Sequence, residues 1–251
     1  MVSENKQKQI PVNDNGADTS ASVAPRPTLT TLRATPLLSE LPNDELIELT
    51  SVSEWLTLKP GSTVVRQNEV STSVLFILSG HIKIMRGSDE PVTGESNERR
   101  QRNRPPVMLA LLGPGDMMGE LAVFLDNRRT ASVVTLTPCQ LVRIPSRYFM
   151  GCLTRHPPFT LAIMRKMARR IIEADRQVEL MRGGIEGRIH ALLRQCRDLG
   201  VDTERWISNA EIARMVGATR VAVSQIMSKV KEGNPTPPPK AKKTAKLKNK
   251  T

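Results

Sequence analysis

The chain has 251 residues and a formal net charge of +12, enough length for one large or two ordinary domains. A pI near 10.1 points to a polyanionic partner, nucleic acid before any other. No apolar run approaches the ~18 residues of a membrane span, and the opening MVSENKQKQI has no apolar signal core, so a cytoplasmic protein without a membrane partner is expected. Three separated cysteines, Cys139, Cys152 and Cys196, fit neither a disulfide framework nor a CxxC metal site.

Residues 1–30 are polar and rich in Pro, Ser, Thr and Asn, which predicts a disordered tail. LLSELPNDELIEL (Leu37–Leu49) carries apolar residues at helical spacing and predicts one short helix. From Trp55 to Ile144 the runs STVVRQ, SVLFILSG, HIKIMRG, VMLALLG and SVVTLTPCQLVRI alternate with Gly, Pro and Asn turns, the pattern of a β-sandwich or barrel. Residues 31–156 are assigned to this domain, with the charged segment 87–106 as a long mobile loop.

After His156 the period becomes helical. Met164, Met167, Ile171, Ala174, Val178 and Met181 follow a 3-4-3-4-3 spacing. Charged neighbours leave only a narrow apolar stripe, which suits two helices packed along their length, so 157–183 is predicted to be a dimerisation helix. Gly183 and Gly184 offer a hinge.

Residues 184–233 read as a small helical domain. Ser208 with Glu211 three residues on is a capping box. Ala213 and Gly217 then give the small contact residue and tight turn of a helix-turn-helix. The exposed face of its second helix carries Thr219, Arg220, Val221, Ser224 and Gln225. Arg220 is suited to guanine O6 and N7, and Gln225 to adenine or a phosphate. Ser208 and Lys229 are expected on phosphates. Residues 234–251 hold six lysines and no acid and read as a disordered Lys/Pro-rich tail.

One stretch of the barrel stands apart: GPGDMMGELAVFLDNRRTASV. Gly119 permits close backbone approach. Glu120-Leu121-Ala122-Val123 is long enough for a helical turn with free N–H groups. Arg129 supplies a forked charge-assisted contact and Thr130 a hydroxyl. Glu120 would repel a phosphate but accept from a sugar hydroxyl beside one.

These residues resemble the phosphate-binding cassette of cyclic-nucleotide-binding domains. With the seam and the helix-turn-helix, Leu37 to Glu232 resembles the cyclic AMP receptor protein and fumarate-nitrate regulator superfamily. The resemblance implies an α+β fold: a jelly-roll β-domain, a long dimerisation helix and a C-terminal helix-turn-helix. It implies a dimeric regulator of transcription that binds double-stranded DNA, with RNA polymerase as a further partner. The effector is a cyclic nucleotide, with cyclic AMP ahead of cyclic GMP. Gly119 and Glu120 would hold the ribose 2′-hydroxyl side and Arg129 and Thr130 the cyclic phosphate, with Leu121 a further ligand-binding candidate.

The chain departs from the family at three places. Ala174-Asp175 stands where a Thr-Ser pair meets the adenine, and a carboxylate suits the donor edge of guanine at least as well. Val221 replaces a Glu of the recognition helix. The family's two-stranded wing is missing, and the lysine tail follows Gly233 instead. No metal is expected, because His81, His156 and His190 lie in separate elements, and no catalytic arrangement supports an enzyme. Two alternatives stay open: a cyclic-nucleotide sensor acting through a protein partner with a degenerate DNA-binding domain, and a β-barrel whose basic tail binds nucleic acid without specificity.

Overall fold

The computed structural model describes residues 26–87, 107–125, 128–181 and 184–231. The predicted loop lies outside these from residue 88 on, as do the terminal tails before 26 and after 231. Order begins before residue 31: Thr28 caps α1 (Leu29–Arg33) by accepting from the Thr31 amide, and Leu32 is fully buried. The single helix expected over Leu37–Leu49 is two elements. Pro42 interrupts it, leaving a 3₁₀ turn (Leu38–Glu40) and α2 (Asn43–Val52), because the residue before a proline is pushed out of the helical region.

Among the described residues eight strands follow: β1 (Glu54–Leu58), β2 (Thr63–Val65), β3 (Ser73–Ser79), β4 (Ile82–Arg86), β5 (Val107–Leu112), β6 (Met117–Met118), β7 (Ser132–Thr135) and β8 (Cys139–Pro145). They pair antiparallel in two sheets of order β1-β8-β3-β6 and β2-β7-β4-β5. With the helices the fold is α+β, as expected.

Both faces of β3 are covered, which explains its unbroken apolar run. Leu75 and Ile77 point between the sheets, with Met118, Cys139 and Leu141. Val74 and Phe76 point outward onto α1, α2, α4 (Ser146–Arg155) and the start of α5 (Pro157–Met181), where Phe149 meets Phe76 and Phe159. The second sheet divides the same way. Ile84, Ala110 and Leu112 face inward, whereas Met85, Met108 and Leu111 face outward onto the C-terminal helices.

Those helices are α6 (Gly184–Asp198), α7 (Thr203–Trp206), α8 (Asn209–Val216) and α9 (Arg220–Lys231). Their core of Ile189, Leu192, Cys196, Ile212, Val216 and Val223 is continuous with the outer face of β4 and β5. Polar ties reinforce the contact. Lys83 Nζ pairs with Glu211, and His81 Nε2 lies 2.8 Å from the Leu199 carbonyl oxygen. The small helical domain is therefore docked on the barrel of its own chain.

Candidate effector and nucleic-acid sites

β6 leads into α3 (Glu120–Phe124) through Gly119, whose φ of +90° lies in the left-handed region. A Cβ there would fall 1.7 Å from Nη1 of Arg129 and 3.1 Å from the Ser73 carbonyl oxygen. Only glycine leaves room for that guanidinium. The backbone of Arg129 is fixed from both sides: its N–H donates to Glu69 at 2.8 Å, and its carbonyl accepts from Asn68 at 2.8 Å. The side chain is thereby turned inward and is 6% exposed. Nη2 donates to the Ser73 carbonyl at 3.0 Å. Nη1 is buried with no partner among the described residues. Burial and the neighbouring Arg143 lower the Arg129 pKa, while Glu69 and Glu120 act against them. A buried cation so weakly compensated favours an anion beside it.

Glu120 is 3% exposed. Its Oε1 accepts from Nη1 of Arg170 on α5 at 2.6 Å, and its Oε2 is buried with no partner among the described residues. Arg170 Nη2 also donates to the Met117 carbonyl. One turn earlier, Lys166 pairs with Asp116, whose Oδ2 accepts from the Gly113 amide at 2.9 Å. Two cations of α5 thus grip two carboxylates on either side of β6. Composition gave no hint of this. The available signal was spacing: Lys166, Arg170 and Ala174 are four residues apart and share one helix face.

The structure brings Gly119, Glu120 and Arg129 together. Leu121 is 41% exposed, and Thr130 is exposed at the rim. Arg128 points away and donates to the Asn68 carbonyl at 3.0 Å. Ala174 lines a cleft of about 410 Å³ between β5, α5, α6 and α8, into which Arg170 also faces. Asp175 is exposed and is not among the residues lining that cleft. A cyclic nucleotide fits the donor set: Arg129 Nη1 is available to the phosphate and Glu120 Oε2 to a sugar hydroxyl.

In the C-terminal domain Ser208 caps α8, accepting from the Glu211 amide at 3.2 Å. The reciprocal half of the capping box is absent, because the Glu211 carboxylate turns to Lys83 and Arg214. Gly217 closes α8 at φ +63°, and Thr219 caps α9, accepting from the Ala222 amide at 3.3 Å. Arg220, Val221, Gln225 and Lys229 are exposed on α9. Ser224, expected on that open face, is half-buried and accepts from Nδ2 of Asn209 at 3.2 Å. The position after Val223 turns toward α8, so Ser224 ties the two helices together.

Residues 55–156 match the cyclic nucleotide-binding domain family. Alignment to lysophospholipase NTE1 of Saccharomyces cerevisiae, 24% identical, covers 61% of this chain but only 9% of that protein. The chain is 26% identical to the CRP-like cAMP-activated global transcriptional regulator of Mycobacterium tuberculosis, over 67% of this chain and 73% of that one. Among solved structures, the c-di-GMP-responsive global regulator CLP of Xanthomonas campestris superposes with a TM-score of 0.58 at 18% identity, over 76% of this chain and 93% of that chain. Residues 55–156 thus carry a cyclic nucleotide-binding domain, in a chain that is similar over about two thirds of its length to a CRP-like transcriptional regulator and shares its fold with a second global regulator.

Proposed function

We propose that the protein is a homodimeric transcription regulator that binds double-stranded DNA under the control of a cyclic nucleotide, with cyclic AMP ahead of cyclic GMP. The observation that carries the reading is the pair of buried polar atoms beside Gly119 that have no hydrogen-bond partner among the described residues: Nη1 of Arg129 and Oε2 of Glu120. A donor and an acceptor held apart from water stabilise a ligand that supplies the complementary groups. A cyclic nucleotide does, with its phosphate on Arg129 and Thr130 and its ribose hydroxyl on Glu120. Cyclic AMP is placed first because of the function named for the mycobacterial relative.

Two further features support the rest of the reading. On α5, Met164, Ile171 and Val178 are 61%, 64% and 55% exposed, an apolar stripe suited to the same helix of a second copy. On α9, Arg220, Val221, Gln225 and Lys229 lie open to a major groove, with Ser208 and Thr219 at the helix starts.

Calorimetric titration of the full chain with cyclic AMP and cyclic GMP tests the effector. Arg129→Ala should weaken binding by roughly 1.5–3 kcal/mol, the scale of a hydrogen bond to a charged group. Equal affinity in wild type and variant, or no binding in either, refutes the cassette.

A further inference from the structure

In the family pattern the base is met by a polar pair on the dimer helix, and Ala174 and Asp175 stand at the corresponding positions of α5. Ala174 has no hydrogen-bonding side chain, and Asp175 does not line the cleft beside it. The cleft nevertheless adjoins the cassette. Arg170 lines it and also holds Glu120 at 2.6 Å. Arg170 is therefore the wall shared by the cassette and the cleft. Met108 and Leu111 of β5 provide an apolar wall there, and α6 of the DNA-binding domain closes the opposite side with Arg188 and Gln195.

Arg188 carries the argument further. It precedes the fully buried Ile189, and its Nε is buried with no hydrogen-bond partner among the described residues. Such a donor is costly to leave unpaired. Its Nη1 lies 3.7 Å from the point where a side chain at Gly217 would begin, so the same guanidinium reaches from the cleft to the turn of the helix-turn-helix.

We infer, on the basis of the effector reading above, that Arg188 is a further residue of the effector site and donates to N7 of a purine base held in the cleft. N7 is an acceptor common to adenine and guanine, and a guanidinium donor makes the stronger, charge-assisted kind of hydrogen bond. The DNA-binding domain then contributes directly to its own effector site. Occupancy bridges α5 and α6 and fixes the side chain that lies against Gly217.

The test is calorimetry on the full chain with cyclic AMP, cyclic GMP and their 7-deaza analogues, which replace N7 by carbon. Wild type should bind each parent about ten- to a hundredfold more tightly than its analogue. Arg188→Ala should bind parent and analogue alike. Arg188→Gln, which keeps a donor, should recover part of the preference. Thermal melting shows that each variant is folded, and the wild-type comparison needs no variant at all. If wild type binds parent and analogue equally, Arg188 does not contact N7. If Arg188→Ala lowers both affinities by one factor and keeps the preference, Arg188 only braces the turn at Gly217 and the inference falls. If wild type binds no cyclic nucleotide, the cassette reading itself falls, and this inference with it.

Discussion

Arg170 on the long helix and Glu120 in the cassette form a buried ion pair at 2.6 Å, with side chains 21% and 4% exposed. Arg170→Ala leaves the Glu120 carboxylate buried and uncompensated, which typically costs about 3–5 kcal/mol. Urea unfolding should show a loss near 3 kcal/mol, and Arg170→Lys should recover part of it. A loss under about 1 kcal/mol would mean that water reaches Glu120 and the pair is weakly coupled.

Glu45 on α2 ties the elbow between α4 and α5. Its carboxylate accepts from Arg155 Nη2 at 2.5 Å and Cys152 Sγ at 3.2 Å, and lies 2.8 Å from His156 Nε2. Burial pushes the carboxyl upward, but the hydrogen bonds from Arg155, His156 and Cys152 outweigh it and bring the pKa from 4.5 to about 2. The folded state favours the charged form, so this stabilisation is complete above about pH 4.5 and is lost as pH falls toward 2. Arg155 is half-exposed, which leaves a contribution on the order of 2 kcal/mol. Glu45→Gln should be less stable than wild type at pH 7, and the gap should shrink below pH 4. A gap constant from pH 7 to pH 3 would show that the carboxylate charge contributes nothing.

Local patterns were the legible part of this fold. Gly119, Glu120 and Arg129 could be grouped because they lie on one short segment and each has its own chemical reason. The fate of Glu211 could not be read. Its spacing from Ser208 fits a capping box, but Lys83, 128 residues earlier, competes for the carboxylate and prevails. Arg170 and Glu45 were missed for the same reason: their partners are chosen by how α5 and α4 cross the barrel, not by neighbours in sequence. Nor could strand composition show that β4 and β5 receive the C-terminal helices. An outward apolar residue such as Met85 reads the same whether α8 or another copy covers it.

The stripe on α5 predicts the oligomeric state. Ile171 is 64% exposed in the single chain, and Ile171→Glu would place like charges across a seam of two facing helices. Sedimentation should give a dimer for wild type and a monomer for the variant at micromolar concentration. A monomeric wild type would leave the stripe without this role.

Arg220 and Ser224 sit four residues apart on α9 but should behave differently. Arg220 is exposed, and its guanidinium suits the paired acceptors of guanine. Arg220→Ala should weaken a preferred duplex by about 1–3 kcal/mol and random DNA very little. Ser224 instead accepts from Asn209 at 3.2 Å. Ser224→Ala should cost about 1 kcal/mol of stability and leave the preference between duplexes unchanged. Filter binding on the two duplexes, with thermal melting of each variant, separates the roles. If Ser224→Ala alters the preference at unchanged stability, its hydroxyl reaches DNA and the Asn209 contact is given up in the complex.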